Sequence, residues 1–307
     1  WVLGMSSFAC VGEDVVGAAA QEGFWNLVLF KKNGSIQIID QPFNDFAGLN
    51  SYQNRLVSIA SSPIIGEGIF EIDLADQSWD HTLASQYILD STQISIGECF
   101  WFIGSDEEKV HAWYYSPTNS AINPPPLLVK SHSGPTGMAR CGLDREVQFW
   151  TSRGWAVVDV NYGGSSGFGR DYRDRLRGDW GVIDVNDCIK AVQELIQCGK
   201  ANKNLIAIMG SSASGFTTLG CLSKTDVFSV AACKYPVTNL ISMANSTHRF
   251  EAFYLDYLIG NLDFHYDKYI KRSPSENINK IKTPLILFHG LKDKVISSDQ
   301  SIEIKDK

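Results

Sequence analysis

Nearly continuous apolar runs recur along the chain from about residue 93 onward, and helix-like segments separate them. Such runs are typical of parallel strands buried on both faces. They cover residues 126–132, 155–162, 204–210, 227–235 and 284–290, after a hairpin-like stretch at 99–117. The segment 183–198 carries an apolar stripe at helical spacing, formed by Val185, Ile189, Val192 and Ile196. This alternation predicts an α/β sheet whose ligands bind at the carboxyl ends of the strands.

The first part of the chain has a different pattern, with short strand-like runs separated by turn residues. The runs are residues 24–30, 35–40, 55–61 and 68–74, and they predict an all-β region. The segments "WNLVLFKKNG" and "GIFEIDLADQ" resemble each other about 42 residues apart, close to the period of a propeller blade. Two blades cannot close a ring, since propellers have roughly four to eight. Residues 1–92 are therefore predicted to be the C-terminal part of a β-propeller, with a small β-meander on a single-domain enzyme as the alternative.

Charge and hydropathy narrow the class of partner. The chain has 307 residues, 44% of them hydrophobic, and a formal net charge of −7 without long runs of one sign. This balance argues against nucleic acid or an anionic membrane as the main partner. No apolar stretch reaches the roughly 18 residues needed to span a bilayer, and the N-terminus lacks the pattern of a signal peptide. Homo-oligomerisation is left open.

The seven cysteines are odd in number, scattered and without a CxxC pair. They favour reduced thiols in a cytoplasmic compartment and argue against metal binding. No metal or organic cofactor is expected, because the sequence contains no ligand cluster, and "GGSSGFG" lacks the lysine of a P-loop.

The stretch "MGSSASGF", residues 209–216, follows one apolar run and precedes an apolar helix-like segment. It has the G-x-S-x-G layout of a nucleophile elbow, except that Ser214 replaces the last glycine. Small residues flank the serine in such an elbow because strand and helix pack closely around a strained turn. The pattern predicts Ser212 as a nucleophile and the N–H of Ala213 as a donor to an oxyanion. The alternative is a serine-rich helix N-cap.

An acidic residue follows at the position that such a hydrolase requires. About eighty residues after Ser212, the run "PLIL" leads into "FHGLKDKV" and places Asp293 at a strand end. The order in α/β hydrolases is Ser, then acid, then His, so Asp293 fits the acid. The alternative is an ordinary surface aspartate in a turn.

Five longer stretches within residues 93–300 share a further likeness: "PLLVKSHSGPTGMAR", "FWTSRGWAVVDVNYGGSSGFGRDYRDRLRGDWGVIDVNDC", "IMGSSASGFTTLGCL", "THRFEAFYLDYLIG" and "ILFHGLKDKV". They resemble the prolyl oligopeptidase family of serine peptidases, in its acylaminoacyl-peptidase and dipeptidyl-peptidase-like branch. The resemblance implies an α/β-hydrolase domain, here residues 93–307, preceded by a β-propeller. It also implies that Ser212 is the nucleophile and Asp293 the acid. Tyr162 matches the tyrosine whose hydroxyl joins the Ala213 N–H in the oxyanion hole, with a buried strand-end tyrosine as the alternative.

Some positions depart from the family pattern or match it weakly. Ser133 in "SHSGP" and Ser214 each stand where the family usually has glycine. Both add a small side chain near the site, which affects the expected catalytic efficiency more than the fold. By similarity to dipeptidyl peptidases, Val237 and Ile296 line the pocket for the side chain before the scissile bond, with core packing as an equal alternative.

A serine nucleophile also needs a general base. The histidines are His81, His111, His132, His248, His265 and His289, and none of them follows Asp293. The fold requires a further helix and strand after the acid, roughly 25 residues, which exceeds the chain remaining before Lys307. The chain also begins at Trp1. We therefore expect a sequence truncated at both ends, whose base comes from beyond Lys307 and which is inactive alone.

Together these features predict a serine peptidase that hydrolyses short peptides through an acyl-enzyme on Ser212. Its type would be aminopeptidase, dipeptidyl-peptidase or acylaminoacyl-peptidase. A carboxylesterase with the same triad is the enzymatic alternative. The non-enzymatic alternative is an inactive truncated product that acts as a binding module.

Overall fold

The computed structural model describes residues 5–85, 89–247 and 249–307, which form two compact units. The first unit extends to Gly97 and also includes Arg140–Phe149. The second unit comprises Glu98–Ala139 and Trp150–Lys307. The predicted division between residues 92 and 93 lies close to this one, whereas the inclusion of Arg140–Phe149 in the first unit had no sequence signal.

The first unit contains two four-stranded antiparallel sheets, each with its strands in sequential order. The strands are β1 (Phe8–Val11), β2 (Asp14–Gln21), β3 (Phe24–Phe30) and β4 (Ile36–Ile38), then β5 (Asp45–Tyr52), β6 (Arg55–Ser61), β7 (Gly68–Asp73) and β8 (Trp79–Leu83). The predicted runs are confirmed as β3, β4, β6 and β7. The other four strands were not predicted. Strands such as β2, "DVVGAAAQ", are rich in residues of low β-propensity and form by pairing with their neighbours.

The second unit is built on a mixed seven-stranded sheet. Its strands are β9 (Glu98–Ile103), β10 (Lys109–Tyr115), β11 (Leu127–Ser131), β12 (Ala156–Asn161), β13 (Ile206–Ser211), β14 (Val230–Lys234) and β15 (Leu285–Phe288). Their order is β15-β14-β13-β11-β12-β10-β9, with β11 to β15 parallel to one another and β9 and β10 antiparallel to their neighbours. All five apolar runs and the hairpin are confirmed as strands, but β15 lies at the edge of the sheet and is exposed at Ile286 and Phe288 rather than buried on both faces. The sheet core is fully buried at Val129, Val158 and Ile206.

Eight α-helices are present among the described residues. They are α1 (Arg145–Thr151), α2 (Arg170–Asp174), α3 (Ile183–Gln197), α4 (Ala213–Lys224), α5 (Leu240–Ser246), α6 (Tyr254–Leu258), α7 (Leu262–Arg272) and α8 (Asp299–Asp306). The predicted stripe lies on α3, where Val185, Ile189 and Val192 are buried in the core of the second unit. Among the residues described, no helix is long and apolar enough to cross a membrane.

The parallel strands bring the predicted site residues to one edge of the sheet. Ser133 follows β11, Tyr162 follows β12, Ser212 follows β13, and Asp293 lies in the loop after β15. Because parallel strands end at the same edge, residues that are distant in sequence converge there.

Candidate active site

Ser212 occupies a sharp turn between β13 and α4, within the segment 209–216 that we call the elbow. Its backbone has φ 53° and ψ −119°, a conformation that a residue with a side chain rarely adopts. Such a residue costs of order 1–3 kcal/mol and persists only where the surrounding structure enforces it. A strained serine between a strand and a helix is the local structure that the G-x-S-x-G pattern predicts.

The packing around the turn explains why small residues flank Ser212. A Cβ at Gly210 would collide with the backbone of Ser214, and one at Gly215 would lie 2.7 Å from the Cβ of Pro236. The backbone of Ser212 is also held by hydrogen bonds. Its N–H donates to the carbonyl of Lys234 over 3.1 Å, and its own carbonyl accepts from the N–H of Phe216 and of Val237. Tertiary contacts therefore fix the elbow.

The Ser212 side chain is not used as a helix cap. Ser212 stands at the N-cap position of α4, but its hydroxyl makes no capping hydrogen bond. The structure therefore disfavours the serine-rich N-cap that the sequence left open. Ala213 begins α4, and the first N–H groups of a helix have no partner within it. The Ser212 hydroxyl, which does not cap the helix, is thus adjacent to the Ala213 N–H at the start of α4. Acyl transfer uses such a pair, with the hydroxyl as nucleophile and the N–H as donor to the oxyanion.

Asp293 lies in the loop of residues 289–296, which we call the acid loop. Its Oδ1 accepts hydrogen bonds from the N–H of Val295 over 2.8 Å and of Ile296 over 3.0 Å. These two bonds favour the ionised form and lower the pKa of the carboxyl. Its Oδ2 lies 3.9 Å from Nε2 of His289. Asp293 is therefore an ionised carboxylate that is oriented through one oxygen.

The described histidines of the second unit are each engaged elsewhere. His289 contacts the Ser301 hydroxyl and the Ile296 carbonyl, and His132 contacts Ser165 and the Gly134 carbonyl. His265 bonds to the carbonyl of Asn261. Among the residues that the structure describes, no hydrogen bond joins any of these three histidines to Ser212. The structure places His81 in the first unit, and His248 lies outside the described residues.

His111 is the remaining histidine, and it is wholly buried. Its Nδ1 lies 3.1 Å from the side-chain nitrogen of Asn161, and its ring packs against Trp101 and Trp113. Burial disfavours the charged ring and lowers its pKa from 6.5 to about 4. His111 is thus a neutral core histidine.

Tyr162 is also wholly buried, with its ring stacked on His132 at 4.5 Å between centroids. Its hydroxyl donates to the carbonyl of Pro135 over 2.9 Å. A tyrosine hydroxyl has one proton, so this bond must break before Tyr162 can donate to an oxyanion. In this structure the Tyr162 hydroxyl is directed to Pro135, which sequence could not indicate, and its role in the oxyanion hole stays a prediction.

Val237 and Ile296 contact the site through their backbones. Val237 donates to the Ser212 carbonyl, and Ile296 donates to the Asp293 carboxylate. Both side chains are buried in the hydrophobic core of the second unit. The structure thus brings these residues to the site, with side chains packed as the core alternative describes. Their pocket-lining role stays a prediction.

Two buried carboxyls on α3, Asp184 and Asp187, were missed by sequence reasoning. Asp184 accepts from the Gly181 N–H and from the Thr217 hydroxyl on α4, and Asp187 accepts from the Gly163 N–H over 2.9 Å. Burial raises the pKa of each to about 6. The only signal in the sequence is that Asp184 and Asp187 lie beside the apolar stripe of the amphipathic helix α3.

Comparison with known proteins agrees with this geometry. Residues 142–307 match the profile of the prolyl oligopeptidase family. The acylamino-acid-releasing enzyme of Arabidopsis thaliana is 32% identical over 60% of this chain and 25% of that protein. The dipeptidyl aminopeptidase BIII of Pseudoxanthomonas mexicana is 30% identical over 59% of this chain and 27% of that protein. The solved structure of a puromycin-hydrolyzing peptidase of Mycobacterium tuberculosis has a TM-score of 0.95 at 34% identity, and the match covers 99% of this chain and 48% of that chain.

The chain belongs to the prolyl oligopeptidase family, and its second unit is the α/β-hydrolase domain of that family. The resemblance drawn from the sequence is thereby confirmed. The chain spans about half the length of the solved relative and about a quarter of the two other relatives.

Proposed function

We propose that this chain is part of a serine peptidase that releases residues from the free or acylated N-terminus of short peptides. The strained Ser212 at the same sheet edge as the ionised Asp293 is the observation that carries the proposal. Oγ of Ser212 attacks the carbonyl carbon, and the C–N bond breaks as the ester forms. The hydroxyl proton passes through a base to the leaving amine. Water then hydrolyses the ester and restores the hydroxyl.

Asp293 orients the imidazole that serves as base. The described histidines make other contacts, so the proposed base is a histidine outside the described residues. The Ala213 N–H is the proposed oxyanion donor. Tyr162 is its proposed partner only if its hydroxyl leaves Pro135, and Val237 and Ile296 remain proposed lining residues for the substrate pocket.

Two of the relatives, an acylamino-acid-releasing enzyme and a dipeptidyl aminopeptidase, support the proposed release of N-terminal residues. A carboxylesterase with the same catalytic groups is the second candidate, because the elbow and acid loop serve ester hydrolysis equally well.

The test that separates the two candidates compares aminoacyl, dipeptidyl and acyl-aminoacyl nitroanilides with simple acyl esters as substrates. Turnover of nitroanilides by the full-length protein, lost in Ser212→Ala, is the expected result; turnover of esters alone would sink the peptidase proposal.

The two sheets of the first unit are proposed to be two blades of a β-propeller, covering residues 1–92, with the catalytic domain over 93–307. Each sheet is a sequential four-stranded antiparallel meander, and the two similar segments both lie on third strands, β3 and β7. A structure of the full-length protein tests the propeller, and a ring with no place for these sheets would contradict it.

A cytoplasmic location is proposed because all seven cysteines are free thiols.

A further inference from the structure

The two serines that depart from the family pattern contact the same residue. Ser133 Oγ donates to the carbonyl of Ser211 over 2.5 Å and lies 3.2 Å from the Ser211 hydroxyl. Ser214 Oγ accepts from the N–H of Ser211 over 2.8 Å and donates to its carbonyl over 3.0 Å. A carbonyl oxygen has two lone pairs, so both donors can be accommodated. Ser211 directly precedes Ser212.

These contacts occur where backbone pairing ends. The ladder between β11 and β13 stops at Lys130 and Met209, two residues before Ser211. Beyond that point the Ser133 side chain, just after β11, donates to the Ser211 carbonyl at the end of β13. This side-chain hydrogen bond joins the two strands where the backbone ladder has ended. Ser214 is buried within α4 and reaches back to both backbone groups of Ser211. Glycine at either position has no hydroxyl to make these bonds.

We propose that Ser133 and Ser214 are positioning residues, which together form a serine brace that fixes the peptide between Ser211 and Ser212. This proposal rests on the proposed function of Ser212 as nucleophile. A strained turn holds its geometry only when several contacts determine it. The brace supplies such contacts from two elements, β11 and α4. The brace affects the orientation of Ser212 Oγ and therefore the acylation rate. It does not affect substrate binding.

The test uses Ser133→Ala, Ser214→Ala and the double variant of the full-length protein. Each single variant is expected to slow phosphonylation of Ser212 by a fluorophosphonate about 3-fold, and the double variant about 10-fold. The turnover number falls in parallel, with KM unchanged. Ser133→Thr keeps the hydroxyl and restores most of the rate. Ser223→Ala is the matched control, because Ser223 makes a similar bond to the Gly220 carbonyl on the same helix, away from the elbow.

A second measurement does not depend on activity. Hydrogen exchange of residues 209–216 is expected to quicken about 10-fold in the double variant and to stay unchanged in Ser223→Ala. A double variant that exchanges and reacts within 2-fold of the wild type overturns the brace. If the wild-type protein is not labelled at Ser212 at all, the proposed function fails, and exchange alone decides whether the brace orders the elbow.

Discussion

The elbow and the acid loop face the same sheet edge but are held in different ways. In the elbow the backbone is strained, its glycines have no space for a side chain, and its hydrogen bonds come from β14, α4 and the residues after β14. In the acid loop a Cβ at Gly290 would meet nothing within 4 Å, and the side chains of Leu291 and Val295 are exposed. The hydrogen bonds to the Asp293 carboxylate come from the local N–H groups of Val295 and Ile296. We therefore expect an added side chain to cost far more stability in the elbow than in the acid loop, where the main cost of substituting Asp293 is in activity.

The largest expected effect is on activity, in the acid loop. Asp293→Asn removes the charge that stabilises a protonated imidazole and should lower kcat/KM of the full-length protein about 10⁴-fold. Asp299→Asn, at an exposed aspartate six residues later, serves as the control. Steady-state kinetics on a nitroanilide substrate measures both. A loss of less than 10-fold at Asp293 would remove it from the catalytic set.

The next largest effect is on stability, and it separates the two regions through a pair of glycines. Gly210→Ala forces a Cβ against the backbone of Ser214 and should lower the free energy of unfolding by about 3 kcal/mol or more. Gly290→Ala should change it by less than about 0.5 kcal/mol, because the space around it is open. Urea unfolding measures both values. Equal costs would contradict the contrast between elbow and acid loop.

The carboxyl of Asp184, which accepts from Thr217 just after the elbow, and the carboxyl of Asp293 should respond oppositely to pH. The pKa of Asp184, beside α4, is raised to about 6 in the folded state, so its stabilising share is complete below pH 3.8 and is lost as pH rises through 6. Asp293 has a lowered pKa, so its share is present above pH 3.8 and is lost as pH falls. Relative to wild type, Asp184→Asn should therefore gain about 2 kcal/mol between pH 4 and pH 7.

Asp293→Asn should lose stability relative to wild type as pH rises from below 3.8. Urea unfolding of both variants across pH 3.5–7 gives the two slopes. Slopes of the same sign would show that the carboxyl of one region is placed in the wrong environment.

The smallest expected effect concerns the strain itself. Ser212→Gly should raise the free energy of unfolding by about 1 kcal/mol, because glycine adopts a positive φ without a steric penalty. Ser212→Ala is the matched control, since it also lacks the hydroxyl but keeps the Cβ. Thermal unfolding distinguishes them. If alanine stabilises as much as glycine does, the gain does not come from the backbone.

Much of this arrangement could be predicted from local pattern. The buried strands β11 to β13 and the stripe on α3 were evident because burial selects continuous or periodic apolar residues. Ser212 was evident because a tight turn selects small neighbours. In contrast, strands β2, β5 and β8 were not predicted, since tertiary pairing overrides their weak propensity.

Contacts between distant residues could not be predicted either. Tyr162 donates inward to Pro135, and Ser133 meets Ser211 across 78 residues of chain. Neither hydrogen bond can be predicted from the spacing of residues in the sequence, because each depends on how the strands align. Both departures from glycine were evident in the sequence, but only the fold shows that they converge on one residue.

The most direct test of the account is to identify the serine that a fluorophosphonate modifies. The full-length protein is treated with the reagent, digested and examined by peptide mass spectrometry. The account predicts one adduct within residues 209–216, located on Ser212 and absent from Ser212→Ala. An adduct on Ser133, Ser211 or Ser214, or labelling that persists in Ser212→Ala, would contradict it.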